Sequence, residues 1–167
     1  MTATQDMIEV PVRKSITVNA SPERAFEVFT DDFDSWWPRS HHIGKSPMTK
    51  AVIEGRKGGR CYNEQEDGTD SDWGTIMLWE PPRRFVIAWQ LTGNWEFEPD
   101  IGNSSEVEVR FTPEAGGKTR VDLEHRHFER LTRGGAEMRA GVDAEGGWGM
   151  LLQGYAARVD KTGAGRP

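Results

Sequence analysis

Residues 146–159, GGWGMLLQGYAARV, decide the fold. The apolar residues of this segment recur at helical spacing and form one broad face: Trp148, Leu151, Leu152, Tyr155, Ala156 and Val159. Asp143 and Glu145 precede the run and Arg158 lies near its end, which are the charges that favour the start and the end of a helix. A long helix with such a face needs a sheet to cover it.

The chain before this helix supplies the sheet. Alternating apolar residues predict a first strand over residues 8–18. Ser21 as N-cap and Pro22 at the first helical position predict a short helix, and a second short helix ends at Pro38. Six further strands, joined by short turns, are predicted between residues 51 and 127, followed by a helical turn near residues 136–139. We therefore predict an α+β fold in which a curved, seven-stranded antiparallel sheet surrounds the long C-terminal helix.

Length, charge and composition restrict the function. A chain of 167 residues suits a single domain, and we expect an ordered core over about residues 8–160, between a loose leader at 1–7 and a frayed tail at 161–167. The net charge of -6 argues against nucleic acid as a partner. One cysteine, Cys61, fits a reducing compartment. Since no signal-peptide pattern or membrane-length apolar run occurs, we expect a cytoplasmic protein without a membrane span.

Several segments carry a family resemblance. They are VNASPERAFEVFT at 18–30, WWP at 36–38, GGRCYNEQEDG at 58–68, WGTIMLWEPPRRFVIAWQ at 73–90, EVEVRFTPEAGGKTRVDLEH at 106–125 and GGWGMLLQ at 146–153. Through them the chain resembles the helix-grip fold of the START-related, SRPBCC superfamily, and its branch of homologues of the activator of the heat-shock-protein-90 ATPase. The resemblance implies binding or transformation of hydrophobic small molecules. Cys61 stands where the family often has an aromatic residue, which implies a pocket enlarged at that point.

His125 and the aromatic residues are the candidate ligand contacts. His125 shares the parity of the apolar residues of its strand, so it should face the interior. There, a neutral imidazole offers one donor and one acceptor to a ligand, or is satisfied within the core. Seven tryptophans suit a pocket for a flat or greasy ligand, or fill the gap between sheet and helix. The candidate ligand-binding residues are Trp37, Cys61, Trp89, Phe97, His125 and Trp148.

Other chemistries find no support in the sequence. His125 and His127 would share one strand face, but no spacing points to a third ligand, so we predict no metal site. The glycines at 55–59 lack the phosphate-binding patterns and no GxSxG motif occurs, so we predict no cofactor and assign no catalytic residue. Three functions stay open, in this order of preference. The first is binding of a small hydrophobic ligand as partner, and the second is binding of a protein partner, as a chaperone activator does. The third is catalysis as a cyclase or hydratase, with His125 as general base.

Overall fold

A computed structural model describes residues 8–163 of the chain. The expected leader, residues 1–7, and the tail residues 164–167 lie outside the described residues. The strands are β1 Val12–Val18, β2 Met48–Ile53, β3 Arg60–Gln65, β4 Asp70–Glu80, β5 Arg84–Trp89, β6 Ser105–Glu114 and β7 Lys118–Arg126. The helices are α1 Pro22–Thr30, α2 Phe33–Trp36, α3 Gly135–Asp143 and α4 Trp148–Gly163, and single 3-10 turns occupy Ile101–Asn103 and Phe128–Arg130.

The seven strands form one sheet in the order β1-β7-β6-β5-β4-β3-β2, with every neighbouring pair antiparallel. From β2 to β7 each strand pairs with the next one in the chain, through short turns except for the long segment 90–104 between β5 and β6. Strand β1 joins the far edge by pairing with β7. The sheet curls into a half-barrel, and α4 lies inside it against β1, α1 and α2. The predicted α+β fold, with its two short helices after β1, is confirmed.

Helix α4 is held by its apolar face and by one buried hydrogen bond. Leu152, Tyr155 and Val159 are almost wholly buried against the sheet and α1. The hydroxyl of Tyr155 donates to the backbone carbonyl of Ala25 in α1 at 2.7 Å, and its ring packs on Phe29 with 4.9 Å between centroids. Burial raises the pKa of the Tyr155 hydroxyl, which stays protonated and keeps donating.

The ends of three elements differ from the sequence expectation. Strand β1 begins at Val12 instead of residue 8, because the carbonyl of Val10 accepts a hydrogen bond from Arg139 at 2.8 Å instead of pairing in the sheet. Helix α3 runs well beyond the expected turn and ends at Asp143, whose carboxylate pairs with Lys14 at 2.8 Å. Asp143 therefore does not begin α4; that helix starts after Gly147 and continues to Gly163, through the first part of the expected tail.

The outer face of the sheet carries a shielded carboxylate. The side chain of Glu108, on β6, is 8% exposed and pairs with Arg84 at 3.2 Å, Arg110 at 2.8 Å and Arg126 at 2.6 Å. Burial alone raises the pKa of this carboxyl, but the hydrogen bonds from Arg126 and Arg84 outweigh burial and hold the pKa below its usual value. Glu108 thus joins three strands of the sheet on the side away from α4.

Candidate functional site

A cavity of about 220 Å³ lies between the sheet, α3 and the beginning of α4. Its wall is mostly aromatic and apolar, with five of the seven tryptophans of the chain among the lining residues. Two histidines, His41 and His42, are the ionisable side chains of the lining. A concave, mostly apolar wall with few polar groups is typical of a small-molecule site.

Four of these indoles form a closed ring of contacts, which we call the tryptophan ring: Trp37, Trp73, Trp89 and Trp148. The centroid distances around it are 6.1 Å between Trp37 and Trp73, 5.3 Å between Trp73 and Trp89, 5.5 Å between Trp89 and Trp148, and 6.1 Å between Trp148 and Trp37. Such distances are those of aromatic pairs in van der Waals contact. The tryptophan ring gives the cavity flat, rigid walls.

Each member of the tryptophan ring comes from a different element. Trp37 directly follows α2, where Pro38 ends the helix, and its indole N–H donates to the carbonyl of His41 at 2.7 Å. Trp73 lies in β4 and Trp89 is the last residue of β5. Trp148 is the first residue of α4, so the long helix presents an indole to the cavity at the point where it enters the sheet.

His125 lies behind two members of the tryptophan ring and does not line the cavity. It is fully buried, with ring centroids 5.2 Å from Trp89 and 6.1 Å from Trp148. The indole N–H of Trp148 donates to Nδ1 of His125 at 3.0 Å, so that nitrogen carries the lone pair. The proton is therefore on Nε2, which donates to the hydroxyl of Ser105 at 2.8 Å. Burial lowers the pKa of His125 to about 3 and keeps the imidazole neutral.

The role expected for His125 changes accordingly. The side chain faces the interior, but its donor and its acceptor are both used by Ser105 and Trp148 instead of being offered to a ligand. The geometry matches the alternative of a histidine satisfied within the core. What His125 does is fix the orientation of the Trp148 indole, and hence one wall of the cavity.

Two further candidates also lie away from the cavity. Cys61 is fully buried in β3, paired with Ile53 and Gly74, and is not among the lining residues. Its small side chain therefore does not enlarge this cavity, and burial raises the pKa of its thiol, which keeps it protonated. Phe97 forms a bridge with Leu91 and is 40% exposed. Leu91 lines the cavity, whereas Phe97 does not.

The mouth of the cavity is formed by loops. Trp95 lies in the loop between β5 and β6 and lines the cavity. Its side chain is 47% exposed and its backbone is left-handed, with φ 61°. In the same loop, Gly93 approaches Gly134 so closely that a Cβ on Gly93 would lie 2.2 Å from the Gly134 carbonyl oxygen. This backbone contact fixes Trp95 beside α3, where Gly141 lines the cavity.

The two histidines of the lining differ in their hydrogen bonds. Nε2 of His41 lies 3.0 Å from the carbonyl of Gly146 and must donate, so Nδ1 accepts from the hydroxyl of Ser40 at 3.0 Å. Nδ1 of His42 lies 3.0 Å from the carbonyl of Ile43 and must likewise donate. Nε2 of His42 then carries a lone pair, for which no partner occurs among residues 8–163.

Sequence reasoning missed Trp73 as a wall residue. A register shift between Ile76 and Leu78 precedes the pair of Gly74 with Trp89, so counting back from the turn at Pro81 and Pro82 does not give the observed pairing. The loop histidines gave no signal either, because no periodicity fixes the path of residues 38–47. His127 lies outside the site: it has φ 68°, beyond the end of β7, and contacts Glu129 at 3.2 Å, so it does not share a face with His125.

Residues 8–163 contain no group of three or more His, Cys, Asp or Glu side chains placed to hold a metal ion. Over the same residues, no helix combines the length and the apolar character needed to cross a membrane.

Fold and cavity together define a class of protein. A half-barrel sheet around a long C-terminal helix, with an apolar cavity between them, is the helix-grip architecture of the START-related proteins. The chain belongs to the family described as "Activator of Hsp90 ATPase homolog 1-like protein" (AHSA1), whose model matches residues 19–160. The resemblance inferred from the sequence motifs is confirmed.

Solved structures of similar chains include two that are more than a third identical to this one. An anthrahydroquino-gamma-pyrone synthase, Txn09, is 38% identical, with a TM-score of 0.63, over 90% of this chain and 97% of its own. The self-sacrificing resistance protein CalC from Micromonospora echinospora is 36% identical, with a TM-score of 0.68, over 95% and 99%. An AHSA1-like protein from Aeromonas hydrophila is 20% identical, with a TM-score of 0.57, over 93% and 97%, and shows the shared fold. No curated protein matches the sequence.

Proposed function

We propose that this protein binds a flat aromatic small molecule in the cavity, stacked against the tryptophan ring. The observation that carries the proposal is the closed set of four indoles around one void. Aromatic walls favour planar ligands, because face and edge contacts form without ordering flexible groups. Trp37, Trp89 and Trp148 from the sequence candidates belong to this site, together with Trp73 and Trp95.

The size of the cavity restricts the part of the ligand that is enclosed. An apolar protein cavity of about 150 Å³ holds a single benzene ring. A cavity of about 220 Å³ therefore suits two fused rings. Larger polycyclic ligands would extend past Trp95, which is half exposed at the mouth.

The relatives support a ligand of this kind. Txn09 is described as a synthase of an anthrahydroquino-gamma-pyrone, which is a fused aromatic product, and it was studied in a complex. CalC is described as a resistance protein. Both match nearly the whole of this chain, and the product of the synthase is of the kind that the tryptophan ring would accept.

Equilibrium dialysis with naphthalene tests the proposal, and decan-1-ol is the comparison ligand because it has as many carbons in a flexible chain. We expect naphthalene to bind and decan-1-ol to bind at least about tenfold more weakly, since the alkyl chain loses rotamer freedom and cannot stack. The absence of naphthalene binding, or equal binding of the two ligands, would contradict the proposal.

A pair of glycine variants locates the binding. In Gly141→Leu the added side chain projects toward Trp95, because the Cβ would lie 3.5 Å from that indole, and we expect naphthalene binding to be lost. Gly149→Leu is the matched control, since Gly149 is also helical, does not line the cavity, and its Cβ would meet nothing within 4 Å. Equal binding by both variants would place the ligand elsewhere.

The enzyme alternative has a specific observation in its favour, namely the 38% identity to a synthase. His125 is a poor general base for such a reaction, because its lone pair accepts the hydrogen bond of Trp148 and the ring does not reach the cavity. The protein-partner alternative is supported by the family description and by the exposure of Trp95, Phe97 and Ile101 in one segment.

A further inference from the structure

Two polar groups of the cavity lining have hydrogen-bonding capacity that the protein leaves unused: the indole N–H of Trp89, which is buried without a partner in the described part of the chain, and the imidazole of His42. The chain has four histidines, and the bonds of three of them explain their place in the fold. His125 uses both ring nitrogens in the core, His41 uses both at the mouth, and His127 contacts Glu129 on the surface.

The backbone fixes the tautomer of His42. A carbonyl oxygen only accepts, so the contact of Nδ1 with the Ile43 carbonyl at 3.0 Å requires the proton on Nδ1. The lone pair is then on Nε2, at the opposite side of a half-buried ring that lines the cavity. Among the other side chains of the lining, His41 uses both ring nitrogens, and the unpartnered indole N–H of Trp89 can only donate. The lone pair of His42 is therefore an unused hydrogen-bond acceptor in a mostly apolar lining.

We propose that Nε2 of His42 accepts a hydrogen bond from an aromatic hydroxyl group, so that the cavity selects phenols over the same ring system without an O–H. The inference rests on the proposed function, because the tryptophan ring must first hold the aromatic rings. His42 then sets the orientation of the ligand, with its hydroxyl turned toward the loop of residues 38–47. With this hydrogen bond, the proposed class of ligand is restricted to fused aromatic molecules that carry a hydroxyl group.

Three probes of the same shape separate the two proposals: naphthalene, β-naphthol and the methyl ether of β-naphthol. The ether keeps the rings and the oxygen but has no proton to donate. Equilibrium dialysis with the full chain should show β-naphthol binding about three- to tenfold more tightly than the ether, which is the range of one added hydrogen bond.

Variants then assign the preference to one atom. His42→Phe keeps a flat ring and removes the acceptor, so it should bind all three probes with similar affinity. His42→Gln restores an acceptor and should recover part of the preference. His127→Gln changes an exposed histidine outside the cavity and should behave as the wild type.

The outcomes are distinct. If wild type binds naphthalene but not β-naphthol in preference to its ether, the assignment of His42 is wrong and the proposed function stands. The assignment is also wrong if His42→Phe keeps the preference for β-naphthol. If wild type binds none of the probes, the proposed function fails and the role of His42 fails with it.

Discussion

Lowering the pH below 7 should destabilise this protein through His125. The imidazole is fully buried between Ser105, Trp148, Trp89 and Phe128, none of which carries a charge. Burial lowers its pKa to about 3 in the folded state, whereas a histidine in the unfolded chain titrates near pH 6.5. Between these values the unfolded chain binds a proton that the folded protein does not.

The sign and size of the effect follow from this difference. Stability rises with pH wherever the unfolded state binds more protons. The contribution of His125 is therefore complete above about pH 6.5 and is lost as the pH falls toward the folded pKa of about 3. At about 1.4 kcal/mol per pH unit, the free energy of unfolding should fall by about 2 kcal/mol between pH 7 and pH 5.

Urea unfolding at several pH values measures this slope. His125→Gln keeps an amide donor and acceptor for Ser105 and Trp148 but cannot titrate. Between pH 7 and pH 5 its free energy of unfolding should therefore fall by about 2 kcal/mol less than that of the wild type, even if it is lower throughout. A slope in His125→Gln equal to that of the wild type would refute the reasoning.

Three further predictions concern stability and are checked by urea unfolding. Tyr155→Phe removes the buried bond to the α1 carbonyl and should cost about 1–2 kcal/mol; an unchanged midpoint would show that water replaces the hydroxyl. Glu108→Gln should lower the free energy of unfolding by about 2 kcal/mol at pH 7. Its difference from the wild type should shrink as the pH falls below about 4.5, because the carboxyl of the unfolded wild type then becomes protonated. A difference that stays constant with pH would contradict the ion-pair account. Gly93→Ala should lower the free energy of unfolding by roughly 2 kcal/mol or more, because its Cβ would lie 2.2 Å from the backbone of Gly134. Gly149→Ala, whose Cβ would meet open space, should be neutral or stabilising. Equal effects of the two variants would mean that the backbone at Gly93 and Gly134 can move apart at little cost.

Much of the fold was predictable from the sequence because its causes are local. Strand parity, the Ser21 cap and the face of α4 each depend on neighbouring residues. Short turns account for the pairing of β2 through β5 and of β6 with β7, whereas the pairing of β1 with β7 is long-range. The candidate site was predicted only in part. Parity showed that His125 faces inward, but the partners of its nitrogens, Ser105 and Trp148, are set by how β6 and α4 pack against β7.

The remaining candidates show the same limit. Cys61 was expected to enlarge the pocket. It is fully buried, yet a register shift in β3 and the curl of the sheet decide which buried residues reach the cavity. His42 carried no pattern at all, since its position depends on the path of a loop held by the bond from the Trp37 indole to the carbonyl of His41. Long-range packing, which a single sequence does not display, determines both outcomes.

The tryptophan ring should also behave as one chromophore. Indoles with centroids 5.3–6.1 Å apart exchange excitation energy far faster than they emit, so a photon absorbed by any member is shared with the other three. Emission from this set therefore loses its polarisation without any motion of the protein. A single absorbing molecule in the cavity would drain the excited state of all four indoles at once, and the intrinsic fluorescence of the chain would report occupancy of one place.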